Sequence, residues 1–403
     1  MKKIPVPAGP AARISVLSAR RHLKMAESAH AYVRGNTLKF YEWLMSSSAA
    51  SLVPDGPPIW ICGDCHVGNL GPVANLNGQI EIQIRDLDQT VIGNPAHDLI
   101  RLSLSLAMAA RGSDLPGVTT ALMIEQVFSG YTSALLKRPA KVKEKDVEPV
   151  HLVMKEALNR QWRHLAKERI ENVSPEIPRG RCFWNLSKAE RSDIDSLFAR
   201  EDVRRLITCL KARKDGDPIK VLDAAYWMKG CSSLGRLRYA VLAGVGKHHA
   251  HGLCIIDIKE ATKPAAPCIK STEMPRDNAQ RVVKGANALS PFLGDRMLAA
   301  HLDGRQVVLR ELLPQDLKFE MERLTQPEAV AAANFLAGVV GKAHARQMTP
   351  QIRSAWAAKL RRAHSKTLNA PSWLWSSVVE LAAIHEAGYL EHCREYALKK
   401  RTL

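Results

Sequence analysis

The sequence predicts a mixed α/β (α+β) protein that combines a large helical lobe with a small antiparallel-sheet lobe. Long stretches of helical periodicity occupy roughly the first half of the chain and return after residue 326, whereas short β-type runs separated by glycine- and proline-containing turns lie between them. With 403 residues, of which 46% are hydrophobic, the chain is long enough to bury one large core or two to three smaller ones.

These changes of pattern predict three segments along the chain. Residues 1–220 would form the main part of the helical lobe, including a loop that carries chemistry. Residues 221–320 would form the sheet lobe with a glycine-rich loop and a lysine, and residues 321–403 would supply the helices that complete the large lobe.

The first elements follow from local patterns. Residues 15–48 contain few helix breakers and recurring apolar positions, which predicts a packed helix pair. The short apolar run 59–62 is typical of a buried strand, and Gly63 allows a sharp turn after it. Residues 75–78, Asn-Leu-Asn-Gly, predict a hairpin turn that leads into an alternating strand over residues 80–84.

The next elements are helical. Asp98 precedes an apolar-periodic run over residues 99–110 that stops near Gly112, so we expect Asp98 to be the helix N-cap. Residues 119–213 are mostly helical in pattern, with a proline-containing interruption at 174–180.

The sheet lobe is predicted from strands at residues 238–242, 253–258 and 306–312. Helical periodicity then returns and is clearest over residues 330–346.

The net charge of +18 indicates an anionic partner, and nucleic acid, an acidic membrane surface and phosphorylated small molecules all qualify. Basic residues are spread over many segments, for example 141–145, 160–169 and 353–362, without the interleaved aromatic residues of a base-stacking platform. Solvated helix faces and a nucleic-acid track therefore both stay open. We expect a cytoplasmic protein, because no run of eighteen apolar residues exists and residues 1–20 lack the pattern of a secretory signal.

The eight cysteines are scattered, and only Cys62 and Cys65 form a close CxxC pair. A disulfide framework is therefore not expected, and a zinc site would need a second close pair of cysteine or histidine ligands. Cys62 also falls where a buried strand needs an apolar residue, so we predict ordinary core thiols.

Two acidic segments, residues 63–69 and 85–88, follow neighbouring predicted strands and carry the strongest chemical signal. Phosphoryl transfer needs a carboxylate that orients the attacking hydroxyl and oxygen ligands that hold Mg²⁺ against the phosphates. Asp64, Asn69 and Asp86 supply these groups. The intervening hairpin would bring the two segments together, because paired strands lie about 4.8 Å apart.

A phosphate cradle is predicted in the sheet lobe, where the glycine-rich residues 230–236 directly precede the strand at 237–242. The candidate phosphate contacts of this loop are Gly230, Ser232, Ser233 and Gly235. The next strand ends at Lys259, which is placed like the lysine that binds nucleotide phosphates in kinases. We therefore predict Lys259 to be the phosphate-binding cation.

Taken together, these residues resemble a bacterial family called domain of unknown function 2252, which is itself similar to aminoglycoside phosphotransferases and other protein-kinase-like enzymes. The resemblance covers most of the chain. Its marks are Tyr32-Val33-Arg34-Gly35, Gly63-Asp64-Cys65-His66-Val67-Gly68-Asn69, Arg85-Asp86-Leu87-Asp88-Gln89-Thr90, Arg281-Val282-Val283-Lys284-Gly285 and Ala343-His344-Ala345-Arg346.

The resemblance implies a two-lobed protein-kinase-like fold, with ATP and Mg²⁺ bound between the lobes. Residues 93–99 are similar to the segment of aminoglycoside kinases in which a helix-starting aspartate, here Asp98, braces the catalytic loop. In ordinary kinases the glycine loop and lysine precede the catalytic aspartate, whereas here Asp64 precedes Lys259. The resemblance therefore implies a circular permutation, in which the helix around 343–345 would supply the segment that leads into the catalytic loop.

Individual roles also follow from the resemblance. Asp64 would be the catalytic aspartate, and His66 would stand beside it and stabilise the loop rather than react. Asn69 and Asp86 would be the metal ligands, with Asp88 as a further candidate.

One departure concerns the partner of the nucleotide lysine. The family tends to have an acid where this chain has Lys284. Glu260 is adjacent to Lys259 and would point to the opposite face of the strand, so Glu273 is the better substitute.

The predicted function is an ATP-dependent phosphotransferase that acts on a hydroxyl of an unknown, small-molecule acceptor. One alternative is a nucleotide-binding pseudokinase. A metal-dependent phosphoesterase is suggested by the DxH pattern of Asp64 and His66, although the downstream motifs of that class are missing. A basic nucleic-acid-binding protein is the remaining alternative.

Overall fold

The structure is a computed structural model. It describes residues 10–113, 115–139, 147–170, 176–180, 182–231, 233–249, 252–269, 274–315, 324–362 and 369–397.

The N-terminal region forms three helices rather than the predicted pair: α1 (Pro10–Met25), α2 (Ala29–Gly35) and α3 (Thr37–Ser46). Two side-chain N-caps explain why the region divides into three helices. Ser28 accepts a hydrogen bond from the backbone N–H of Ala31, and Asn36 accepts one from Lys39. Such caps start a new helix wherever the preceding turn ends.

Four short strands follow: β1 (Ile59–Ile61), β2 (Leu70–Ala74), β3 (Ile80–Ile84) and β4 (Val91–Gly93). The predicted hairpin is confirmed, because β2 pairs with β3 across a turn that Gly78 closes by donating to the Asn75 carbonyl. The strands that precede the two acidic segments, β1 and β3, were expected to be neighbours, but they are not paired with each other. Strand β1 pairs with β4, and the β2–β3 ribbon is a separate two-stranded sheet.

Helix α4 (Ala96–Arg111) is central to the helical lobe, and fifteen of its sixteen residues are buried. The prediction that Asp98 is its N-cap was wrong, because the helix begins at Ala96 and Pro95 occupies the cap position. Asp98 lies inside the first turn. Its carboxylate accepts hydrogen bonds from another segment of the chain instead of capping its own helix.

The helical middle of the chain contains α5 (Gly117–Leu135), α6 (Glu148–Asn159), α7 (Trp162–Ile170), the short strand β5 (Phe183–Trp184), α8 (Lys188–Ala199) and α9 (Glu201–Thr208). The pattern predicted these helices. Strand β5 has only two residues, so no alternating pattern indicated it.

The sheet lobe contains β6 (Ile219–Trp227), β7 (Arg238–Val245), β8 (Leu253–Glu260), α10 (Asn278–Leu289), α11 (Pro291–Gly294), β9 (Met297–Leu302) and β10 (Arg305–Leu312). Together with β5 these strands form one antiparallel sheet in the order β5-β6-β7-β8-β10-β9. Both faces of the sheet are covered by hydrophobic clusters, one built around Val241 and Ile256 and the other around Leu242 and Ile255.

The chain ends in α12 (Gln326–Ala345), α13 (Pro350–Leu360) and α14 (Ser372–His392). Helix α12 packs closely against α5, since a side-chain carbon at Gly130 would lie 2.1 Å from the Asn334 carbonyl oxygen. These helices share the main hydrophobic core with α4 and with the β1–β4 region. Across the residues that the structure describes, no helix is both long enough and apolar enough to cross a lipid bilayer.

Candidate functional site

The loop after β1 folds back on itself around Asp64. Gly63 has a φ of 74°, which a residue with a side chain rarely adopts. The side-chain amide of Asn69 donates to the Asp64 carbonyl at 3.0 Å, and Tyr41 donates its hydroxyl to the Gly63 carbonyl at 2.5 Å. These bonds place Asp64 and Asn69, two of the predicted site residues, on the same small loop.

A buried chain of hydrogen bonds fixes this loop from behind. The Asp98 carboxylate accepts from the backbone N–H of Cys62 at 2.7 Å and of Gly63 at 3.0 Å. His344 Nε2 lies 3.1 Å from the same carboxylate, while its Nδ1 lies 2.9 Å from the Tyr131 hydroxyl. Because a carboxylate only accepts, Nε2 carries the proton and Nδ1 accepts from Tyr131. Asp98 thus orients the loop without facing the cleft.

Arg101 is a site residue that the sequence reasoning missed. Its Nε donates to Asp64 Oδ1 at 2.8 Å, and its Nη2 donates to the Val33 carbonyl at 2.7 Å. The side chain is fully buried. A signal was available, because an arginine three positions after Asp98 in an apolar run lies on the same helix face as that aspartate.

His66 is buried next to Asp64, with its Nε2 4.0 Å from Asp64 Oδ2. Burial lowers the pKa of His66 to about 3, although the Asp64 carboxylate opposes this shift. The imidazole is therefore neutral at neutral pH. It can take part in hydrogen bonding beside the loop but does not contribute a charge.

Asp86, Asp88 and Lys259 come together at the junction of the two lobes. Lys259 Nζ lies 3.3 Å from Asp86 Oδ1 and forms a closer ion pair with Asp88. Burial would raise the pKa of Asp86, but the charges of Lys259, Arg310 and Arg238 outweigh it and lower that pKa. The pKa of Asp88 is raised by burial and by the neighbouring Asp86 charge.

This arrangement fits a magnesium ion that is completed by a bound phosphate. Mg²⁺ is commonly held by one or two carboxylates together with waters and substrate phosphates. Asp86 and Asp88 contact a common ammonium group, so a single cation can reach both carboxylates. Within the described ranges, no three histidine, cysteine or acidic side chains form a preformed metal cage. The donor set therefore offers two carboxylates, which is the number that Mg²⁺ commonly takes from a protein.

The glycine-rich loop connects β6 to β7. Gly230 and Gly235 have φ values of 94° and 98°. Ser233 donates its hydroxyl to the Lys229 carbonyl at 3.2 Å, and Lys24 of α1 donates to the Gly230 carbonyl at 2.9 Å. Ser232 lies outside the described residues. The loop is therefore tied to the N-terminal helix at its Gly230 end.

The acidic residues considered as partners of Lys259 lie in different surroundings. Glu273 lies outside the described residues. Glu260 accepts from the backbone N–H of Leu237 at 2.8 Å and lies 3.1 Å from Arg305, while Lys284 is exposed on α10.

Helix α10 is tied to the segment that carries Asp86 and Asp88 through a different residue, Arg281. The buried side chain of Arg281 donates to the carbonyls of Thr90, Asp88 and Thr262. This arginine fixes the segment that carries Asp86 and Asp88 against the sheet lobe.

A buried ion-pair network in the sheet lobe was not predicted from the sequence. Arg238 donates to Asp257 through Nε at 2.8 Å and through Nη2 at 2.6 Å. Arg310 Nε lies 3.5 Å from Asp257. Asp257 is two residues before Lys259, so it shares its strand face.

The two lobes enclose a cleft of about 420 Å³. Asn69 and Asp86 lie on the side of the helical lobe, and Gly230 and Arg238 lie on the side of the sheet lobe. Six cationic side chains line the cleft against two carboxylates, Glu27 and Asp86. The cations are Lys24, Arg34, Arg85, Lys229, Arg238 and Arg310. A surface of this composition favours an anionic ligand.

One family matches the chain, over residues 13–395, and it is described as an uncharacterized protein conserved in bacteria (DUF2252). No curated protein and no solved structure matches this chain significantly.

Proposed function

The chain belongs to the DUF2252 family, and we propose that it is a magnesium- and ATP-dependent phosphotransferase with a protein-kinase-like architecture that acts on a hydroxyl group. The observation that carries the proposal is the position of five residues. Asn69 and Asp86 line one basic cleft, Asp64 lies on the same loop as Asn69, and Asp88 and Lys259 lie next to the cleft, where Lys259 pairs with Asp86 and Asp88.

The order of groups along the helical side supports the proposal. Protein kinases place an asparagine ligand of Mg²⁺ five residues after the catalytic aspartate, and a further metal-binding aspartate after it. Asn69 follows Asp64 by this spacing, and Asp86 comes after the β2–β3 ribbon. The Arg85 backbone N–H donates to the Asn69 carbonyl at 2.7 Å, which holds the two segments together.

The order of elements in the sheet lobe also supports the proposal. A glycine-rich loop joins β6 to β7, the next strand, β8, carries Lys259 near its end, and α10 follows before the last two strands. Kinases likewise use a glycine-rich loop over the phosphates, a lysine on the third strand and a helix that follows it. Because Asp64 precedes Lys259 in this chain, the proposal includes a circular permutation.

In the proposed reaction, Asp64 accepts a hydrogen bond from the acceptor hydroxyl and orients its oxygen towards the γ-phosphorus. Magnesium, when bound, would neutralise charge on the phosphates, and Asn69 and Asp86 would hold it with Asp88 nearby. Lys259 would turn from these carboxylates to the phosphate oxygens. The phosphoryl group passes to the acceptor oxygen, ADP leaves, and the hydroxyl proton is taken up by Asp64.

Calorimetric titration of ATP with and without Mg²⁺ tests the proposal directly. We expect magnesium-dependent binding by the wild type and its loss in both Lys259→Ala and Asp86→Ala. Lys188→Ala, which removes an exposed lysine at the start of α8, is the matched control and should bind normally. The absence of ATP binding by the folded wild type would refute the proposal.

The substitution Asp64→Asn separates chemistry from binding. It preserves the shape of the side chain and an acceptor for Arg101, but it removes the base. We expect phosphoryl transfer to water, measured as slow ATP hydrolysis, to fall by about 10²–10⁴-fold, while ATP affinity changes little. An equal loss of affinity would place Asp64 in nucleotide binding instead.

The Arg101–Asp64 ion pair favours a second candidate, a nucleotide-binding protein without turnover. Arg101 Nε donates to Asp64 Oδ1 at 2.8 Å, so this carboxylate oxygen is already engaged and less available to an acceptor hydroxyl. Tight magnesium-dependent ATP binding without hydrolysis or transfer would support this candidate.

A further inference from the structure

Arg34 lies beside the loop that carries Asp64. It is near the end of α2 and lines the cleft. A side-chain carbon built on Gly68 would lie 3.2 Å from Arg34 Cζ and 3.3 Å from Nη2, so the guanidinium packs directly on the Gly68 backbone. The position is available because residue 68 has no side chain.

The Arg34 side chain has unused hydrogen-bonding capacity. Its Nε is buried and has no hydrogen-bond partner among the described residues. A buried donor of this kind is uncommon, because it has lost its hydrogen bonds to water without gaining one in the protein. A ligand that accepts from it would recover that loss.

Two further nitrogens near the same loop are also buried and unpartnered within the described part of the chain: Arg101 Nη1 and His66 Nδ1. Arg101 donates to Asp64 through Nε and to the Val33 carbonyl through Nη2, and the Arg34 charge acts on His66. Three buried nitrogens without a partner among the described residues therefore belong to side chains that lie on or against the loop that carries Asp64.

The cations in and beside the cleft lie at different places. Lys259 lies next to the cleft at the carboxylates of Asp86 and Asp88, and Arg238 lies in the sheet, where a nucleotide is expected in the proposed function. Arg34 lies on the helical wall of the cleft against the loop that carries Asp64. In the proposed function this loop orients the acceptor, so Arg34 lies where it can contact the acceptor.

We propose that the acceptor of this site is an anionic small molecule whose oxyanion group, a phosphate or a carboxylate, is bound by the Arg34 guanidinium beside Gly68. The inference rests on the proposed phosphotransferase function and names its substrate class. The planar guanidinium suits an oxyanion because it can donate two parallel hydrogen bonds. A polycationic acceptor such as an aminoglycoside would instead meet like charges at Lys24 and Arg34.

The test is calorimetric titration with inorganic phosphate and, separately, with succinate, into full-length protein saturated with Mg²⁺ and a non-hydrolysable ATP analogue. We expect at least one anion to bind the wild type and its affinity to fall about tenfold or more in Arg34→Gln. Arg34→Lys keeps the positive charge but loses the planar guanidinium, so its affinity for the anion should lie between those of the wild type and Arg34→Gln. Arg361→Gln, at an exposed position after α13, is the matched control and should behave as wild type.

The outcomes are distinguishable. Stronger binding of phosphate than of succinate identifies a phosphorylated acceptor, and the reverse order identifies a carboxylate. The inference is overturned if neither anion binds, if Arg34→Gln binds as the wild type does, or if Arg34→Gln weakens the ATP analogue by the same factor. If the wild type binds no nucleotide, the proposed function fails, whereas the same titrations on the free protein still measure the Arg34 subsite.

Discussion

Two loops face each other across the cleft, and they are held in different ways. The loop at residues 63–69 is almost entirely buried and is fixed by side chains from other elements, among them Asp98 and Arg101. The glycine-rich loop between β6 and β7 is largely half-buried, and its described contacts include those from Lys24 and from the Tyr226 hydroxyl, which donates to Arg236 at 2.7 Å.

The difference indicates that the two loops have different functions. Groups that orient reacting atoms gain from a fixed position, because small displacements cost rate. A loop that covers a ligand has to admit and release it, so fewer constraints are an advantage. We therefore expect substitutions behind the 63–69 loop to affect stability more than equivalent changes in the glycine-rich loop.

The largest effect is expected for Asp98→Ala. This change leaves two backbone N–H groups and His344 without their acceptor in a fully buried position. We expect the free energy of unfolding to fall by about 3–5 kcal/mol, measured by urea denaturation. Asp195→Ala, at an exposed position on α8, should change it by less than about 0.5 kcal/mol. Similar values for both variants would show that the loop is not braced by Asp98.

A pair of glycine substitutions compares the two loops directly. Both Gly63 and Gly235 have positive φ, but a side-chain carbon at Gly63 would lie 2.2 Å from the Gln89 carbonyl oxygen, whereas at Gly235 it would meet nothing within 4 Å. Gly63→Ala combines backbone strain with a clash and should cost about 2–5 kcal/mol. Gly235→Ala should cost about 1–2 kcal/mol, from strain alone. Thermal and urea unfolding of the two variants measure the difference, and equal costs would contradict it.

Lowering the pH should destabilise the folded protein through His385, a buried histidine of α14. Burial lowers the pKa of His385 to about 4, from 6.5 in the unfolded chain. Between these values the unfolded state binds a proton that the folded state does not, so stability falls as pH drops from about 6.5 to about 4 and is unaffected above this window.

The measurement is urea denaturation at pH 7, 6 and 5. His385→Asn should reduce the loss of stability on acidification by up to about 1.4 kcal/mol per pH unit. The control is His151→Asn, which replaces a half-exposed histidine of α6. This variant should retain the pH dependence of the wild type. If His385→Asn loses as much stability on acidification as the wild type does, folding does not lower the pKa of His385 and the prediction is contradicted.

The smallest effect is expected for Lys284→Ala. The side chain of this residue is exposed on α10, and Lys259 pairs with Asp86 and Asp88. We expect less than about a threefold change in ATP affinity, by the calorimetric titration used for Lys259→Ala. A tenfold or larger change would make Lys284 part of the nucleotide site.

Much of the local structure could be predicted from the sequence. The Asn75–Gly78 turn, the strand at Ile80–Ile84 and the helix ending at Ala345 follow from turn chemistry and hydrophobic period. The prediction that Asp98 caps α4 failed, because capping and a distant hydrogen bond use the same residue types. Local pattern does not distinguish them.

Residue types and local patterns indicate which groups could do chemistry: Asp64 and Asn69 at a turn, Asp86 after a ribbon, and Lys259 at a strand end. Which of these groups meet depends on how the helices and strands pack. The Lys259–Asp86 contact joins positions 173 residues apart, and Arg101 and Arg34 reach the Asp64 loop only through helix packing. Periodicity and turn residues encode local conformation, whereas ion pairs between distant segments depend on how complete elements pack, so no short stretch of sequence contains them.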